Sequence, residues 1–264
     1  MERPSKKPFV VTILILILII LGLGGYIAYD YFIKDEDEVK VVTMVDNVNI
    51  DLNAFYQISD TLEKFDIAFN KAGTKFFGYI YNTKELEAKD FDYNAALYTS
   101  LTKYLTASNT NQTIVSSKVK GSFESVFGET IKYNPTSIEL NNNIKIEYDL
   151  NKAVFNYTIP IETNNYAPEY ITKNTKTILE EDKIIVTKKV YYAEYNGSGS
   201  ETSRATIYTN STKQQRLGEV SVKNGEANTE EVLGKYGSRL STYEITFIKN
   251  SDDDYTFSKI KKIK

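Results

Sequence analysis

IKIEYDLNKAVFNYTI, residues 144–159, alternates apolar and polar side chains on either side of a short break. Ile144, Ile146 and Tyr148 share one parity, and Ala153, Phe155, Tyr157 and Ile159 resume the alternation after Asn151-Lys152. Successive side chains of a strand point to opposite faces, so this period of two predicts an antiparallel hairpin with its turn at Asn151-Lys152.

The same period continues toward the C-terminus. Thr175 to Glu180 and Lys183 to Tyr195 predict a second hairpin around Glu181-Asp182. Its second arm has 13 residues, longer than a usual strand of about 5–6, and is expected to bend. Arg204 to Asn210 and Arg216 to Val222 predict strands, with Asn224-Gly225 as a tight turn. Asn228 and Glu231 have the spacing of a capping box for a short helix near Val232-Leu233. Leu240 to Lys249 and Tyr255 to Ile263 form the last predicted hairpin, and Asp252-Asp253-Asp254 reads as its turn rather than as a cation site.

Upstream the period becomes helical. Leu52, Phe55, Tyr56, Leu62, Phe65, Ala68 and Phe69 predict a helix that Ser59-Asp60 could interrupt and Gly73 could stop. Phe76 to Tyr81 is a short strand or buried turn. Phe91, Ala95, Leu97, Tyr98, Leu101, Leu105 and Ala107 line a second helix, with Asp90 or Asp92 as cap. A third runs from about Ser116 to Phe127 and ends at Gly128. Helices first and an antiparallel sheet after them predict an α+β fold: a helical part over 46–135 packed on a curved antiparallel β part over 136–264. That shape is similar to cystatin-like and nuclear-transport-factor-like folds over roughly residues 86–264, and such a likeness of shape implies no activity.

Pro8 to Tyr29 is a different kind of segment, 22 residues without a charge. As a helix it would span roughly 33 Å, enough to cross a hydrocarbon core of about 30 Å. It is too long for a signal-peptide core and lacks an Ala-x-Ala site, so an uncleaved anchor is expected. Arg3, Lys6 and Lys7 precede it and Asp30 and Asp35 to Glu38 follow it, which places residues 1–7 in the cytoplasm and the bulk outside. Residues 30–45 read as a charged stalk. The organisation expected is therefore a single-pass protein of the cell membrane, 1–7 inside, 8–29 spanning, 30–264 outside.

The 264 residues include no Cys, His or Trp. Disulfides, thiolate nucleophiles, His-based triads and zinc sites built on Cys or His are excluded by inventory. Beyond residue 29 there are 29 basic and 34 acidic residues, net −5, so no basic field argues for nucleic acid. Ser-x-x-Lys, the spacing of a Ser nucleophile with a Lys base, occurs at Ser100/Lys103, Ser117/Lys120 and Ser258/Lys261, close to the two or so that chance supplies, and its companion motifs are missing. Asn47-x-Asn49-x-Asp51 opens like a calcium loop, but Leu52 and Ile58 replace the Gly and Glu such a loop needs. No cofactor motif is present.

Two features point to binding. Tyr191, Tyr192 and Tyr195 put aromatics on both faces of the long strand; tyrosine suits binding surfaces and also cores. The 28 Lys, 22 Asn and 21 Tyr match A/T-rich codons, as in an A/T-rich bacterium, which weakens the tyrosines as a signal. Lys259, Lys261 and Lys262 could meet an anionic envelope polymer or lipid, or simply protect an edge strand. The expectation is a noncatalytic binding module at the cell surface, with no cofactor or metal, a membrane contact through residues 8–29, and an unidentified protein or envelope polymer as partner. An extracytoplasmic hydrolase using carboxylates or Ser-Lys, and an accessory subunit of a membrane complex, are the alternatives.

Overall fold

A computed structural model describes residues 41–44, 52–71, 81, 84–141, 144–159, 169–197, 204–251 and 254–264. Val41–Lys264 forms one compact unit. The expected anchor at 8–29, the residues before it, residues 30–40 of the stalk and the Phe76–Ile80 stretch lie outside the described residues. Among the described residues no helix is long and apolar enough to cross a membrane.

The α+β class holds, with antiparallel sheets and few helices. The larger sheet is organised by one strand, β8 (Lys183–Asn196). β7 (Glu169–Leu179) pairs along most of one edge of β8. The other edge is shared: β12 (Ser241–Lys249) takes residues 183–190 and β9 (Arg204–Tyr208) takes 192–196. This sharing accounts for a strand of 14 residues. β10 (Arg216–Lys223) and β11 (Glu226–Ala227) continue beyond β9, joined by the predicted turn, where Asn224 and Gly225 both have positive φ. β13 (Tyr255–Lys262) continues beyond β12, and β2 (Glu85–Glu87) beyond that. β1 (Val41–Met44), inside the segment read as stalk, pairs in parallel with β7.

A second sheet of four strands has the order β3-β6-β5-β4. The opening hairpin is here: β5 (Ile144–Asp149) pairs with β6 (Val154–Ile159). The turn is longer than Asn151-Lys152, because Ala153 has φ 52° and belongs to it. β4 is Ile138–Asn141. β3 (Ser108–Val115, SNTNQTIV) has no strand pattern, since only Ile114 is buried; pairing with β6 holds it.

Helix α1 (Leu52–Lys71) runs straight through Ser59-Asp60. The Asp60 carboxylate serves the helix there, pairing with Lys64 one turn on at 2.9 Å and with Lys103. Its buried stripe is Ala54, Ile58, Leu62, Phe65 and Ala68. Helix α2 (Tyr93–Leu101) starts at Asp92, whose carboxylate accepts from the Ala95 N–H at 2.9 Å. It is shorter than the pattern suggests, because Thr102–Tyr104 tightens into a 3-10 turn and the chain leaves for β3. Helix α3 (Ser116–Phe127) ends at Gly128 as read. Helix α4 (Thr229–Tyr236) has half of the capping box: Asn228 accepts from the Glu231 N–H, but the Glu231 carboxylate turns to the Ser221 N–H and hydroxyl and to Lys235.

Among the described residues two hydrophobic cores result. Phe65, Phe91, Phe127 and Phe257 pack edge-to-face or tilted at 5.0–6.4 Å between α1, α3 and the sheet. Ile184, Val186 and Val190 of β8 join this core. Tyr191, Ala193 and Tyr195, of opposite parity, join a second core with Ala205, Val220, Val232 and Leu240. Alternation along one strand thus feeds cores on the two faces of the sheet.

Candidate functional site

An open groove of about 860 Å³ lies beside the β12–β13 hairpin. The last turns of α3, through Gly121, Glu124 and Ser125, form one wall. The segment from Gly128 to Tyr133 continues that wall, and Ile248, Lys249 and Ser251 form the opposite one.

Three local features fix the Gly128–Tyr133 wall. Gly128 ends α3 with φ +56° and ψ −137°, a positive-φ backbone that favours glycine, and an added Cβ would stand 3.1 Å from Thr256 Cγ2. Tyr133 donates its hydroxyl to the Ser116 carbonyl at 3.1 Å, and its ring meets Phe123 edge-on at 5.5 Å. Tyr93 grips the segment next to it, donating to the Asn134 carbonyl at 2.6 Å and accepting from the Asn134 N–H at 2.7 Å. Burial pushes the phenols of Tyr93 and Tyr133 up, so both stay neutral hydrogen-bonding groups at physiological pH. At the base of the groove, Gln57 of α1 accepts from the Tyr255 N–H at 3.2 Å.

Gly121 is a conspicuous wall residue. It lies inside α3, where glycine costs roughly 1 kcal/mol relative to alanine. No packing constraint requires it, because an added Cβ would have nothing within 4 Å. Its effect is to leave the helix backbone bare along the groove. No motif marks this groove in the sequence; Gly121 inside an otherwise helical segment is a local signal of it.

The residues singled out from sequence fall elsewhere and do not converge. Tyr191 is 0% exposed, with its hydroxyl against Thr229 at 2.9 Å. Tyr195 is 8% exposed, donates to Glu169 and accepts from the Ala227 N–H. Burial corrects the surface reading for both: their side chains lie in the second core with Val220, Ala227, Val232 and Leu240. Tyr192 is half-buried against Tyr170. The lysines are not on an edge strand, because β2 covers β13 and sets Glu87 opposite Lys259 and Glu85 opposite Lys261. Lys262 lies over the Tyr243 ring at 5.8 Å.

The Ser-x-x-Lys pairs are likewise dispersed. The Ser100 hydroxyl is buried and donates to the Ala96 carbonyl, while Lys103 turns to Asp60. Ser117 and Lys120 are both exposed, and Lys120 pairs with Glu124. Ser258 and Lys261 occupy a strand, where a three-residue separation normally opposes side chains; a bulge interrupts this one. Among the described residues no group of three or more acidic side chains is arranged to hold a metal.

Set against protein-family models, curated proteins and solved structures, the chain matches none. No relative is therefore at hand from which an activity could be carried to these residues.

Proposed function

We propose that this protein is a membrane-anchored, noncatalytic binding module of the cell surface, and that the groove between α3 and the β12–β13 hairpin is its binding seat. The observation that carries the reading is the groove itself, large enough for a ligand and walled by a helix kept bare at Gly121. The apolar stretch 8–29, with basic residues before and acidic residues after it, supports a single-pass anchor holding this domain outside.

The test is retention of the full-length protein on envelope fragments. Gly121→Trp fills the groove from a position with free space and improves helix propensity, so the fold should be kept. Loss of retention with unchanged thermal unfolding is expected; full retention would overturn the groove as the seat. Protease added to intact cells should digest the region after residue 40, and its protection would overturn the topology.

A further inference from the structure

We infer that the tip of the β5–β6 hairpin is a lipid contact that seats in an anionic membrane surface. It is separate from the groove and does not rest on it. The outward face of the small sheet keeps the polar half of the strand alternation, with Thr113, Lys145, Glu147, Asn156 and Thr158. Its last row breaks that rule. Val115 and Val154 stand opposite each other there, and their neighbours Ile114 and Phe155 are buried in the core, so both valines face out. Val115 is 49% exposed, and Leu150, in the adjoining turn, is 80% exposed. Turns are ordinarily built from polar residues or glycine, and a Leu this open contributes nothing to the core. Single exposed apolar side chains need no explanation, but these aliphatic groups gather at one end of one sheet.

Shape selects the occupant. Leu150, Asn151, Lys152 and Ala153 are all exposed, so the turn projects clear of its neighbours. A stable protein interface takes about 800 Å² from each partner around a dry, packed centre, and a hairpin tip with one Leu and a pair of valines does not supply that. Lipid closes around a small convex knob, and removing aliphatic surface from water is favourable whatever surrounds it. Charge agrees with anionic headgroups. Asp149, the acid of the turn, accepts from the Asn151 N–H at 3.0 Å and the Lys152 N–H at 3.2 Å, and its carboxylate lies 3.5 Å from the Lys152 ammonium. Lys118, exposed in the first turn of α3, adds a further positive charge beside the tip, because the Ser116 N–H ties that helix to the Ala153 carbonyl at 2.9 Å. Lysines hold their stems along apolar surface and their ammonium groups at the headgroup level, where anionic lipid attracts them.

The chain has no Cys, so one introduced thiol is unique. Asn151→Cys, in the exposed turn, carries a small fluorophore on the full-length protein in phosphatidylglycerol vesicles, with and without nitroxide-bearing acyl chains. Quenching by the nitroxide lipid is expected. Leu150→Asp in the same labelled chain should remove most of it, since burying one Leu side chain is worth about tenfold or more in partition. Val115→Asp should weaken it too, and the fold is kept because Val115 is the N-cap of α3, where Asp is favoured. Pure phosphatidylcholine vesicles should quench less, because Lys118 and Lys152 then face no anionic surface. Absence of quenching in phosphatidylglycerol, or quenching indifferent to both substitutions, overturns the lipid contact. Equal quenching in the two lipids overturns the part given to the lysines. The label reads position 151 alone, so insertion of residues 8–29 does not itself produce the signal, and the groove is judged separately on envelope fragments.

Discussion

Asp66 of α1 and Lys188 of β8 lie 122 positions apart and meet in a two-oxygen ion pair, with the Lys188 Nζ 2.8 Å from Oδ1 and 2.7 Å from Oδ2. Lys188 is 1% exposed, so its charge has left water and depends on this partner. Thr172 donates to the same carboxylate at 2.8 Å, and Tyr81 at 3.4 Å. The group ties α1 to the central strand of the sheet.

Asp66→Ala should therefore destabilise the protein by about 3–5 kcal/mol, the cost of leaving a buried ammonium alone. Partial exposure of the Asp66 side chain, 32%, favours the lower end. The double variant Asp66→Leu, Lys188→Met should recover most of that loss. Urea denaturation of the three proteins measures it, and equal losses in single and double variants would contradict the account.

Lys64 is the opposite case. Burial pushes its ammonium from 10.5 down to about 8. Between those values the unfolded chain holds a proton that the folded chain has released, so stability rises with pH across that window and is lost as pH falls through about 8. At pH 7 the charged Lys64 is a net cost to stability, because its value of about 8 is reached with Asp60 already in contact. Lys64→Met should stabilise the protein at pH 7, and the gain should shrink toward pH 10.5. Denaturation midpoints across that range give the answer, and a pH-independent gain would contradict it.

Tyr195 serves both Glu169 and the Ala227 N–H. Tyr195→Phe should cost about 1–3 kcal/mol, because it strands buried polar groups. Burial also raises the Glu169 carboxyl above its usual value. The folded state then keeps a proton the unfolded state has lost, so stability falls as pH rises above 4.5 through that window. Glu169→Gln, which keeps an acceptor for Tyr195, should flatten that slope in thermal melts.

At Gly128 both backbone and space are constrained. Gly128→Ala places a Cβ at φ +56° and 3.1 Å from Thr256 Cγ2. A loss of about 1–3 kcal/mol is expected, and Thr256→Ser in the same protein should relieve only the steric share. Equal stability of the single and double variants would show that the backbone conformation alone carries the cost.

Elements that repeat a local rule were legible. The 144–159 hairpin, a cap at Asp90 or Asp92, the Gly128 stop and the Asn224-Gly225 turn each follow from a few adjacent residues; all are found, with Asp92 as the cap. β3 and β2 were not legible, because SNTNQTIV and ELE carry no pattern of their own and are strands through their partners β6 and β13. The tyrosines of β8 show the same division. Their alternation was readable, but which face was covered was not, since two separate cores claim the two parities.

Composition and order in the chain settle the chemistry this protein lacks and the α+β class. They also raise the expectation of an anchor at 8–29. These depend on inventory and on periods of two or 3.6, which are local properties. Folding decided the rest. Asp66 finds Lys188, Gln57 finds Tyr255, and α3 faces the far hairpin across a groove only once distant segments are brought together. Such pairings depend on sheet order and packing, and no local spacing in the chain encodes them.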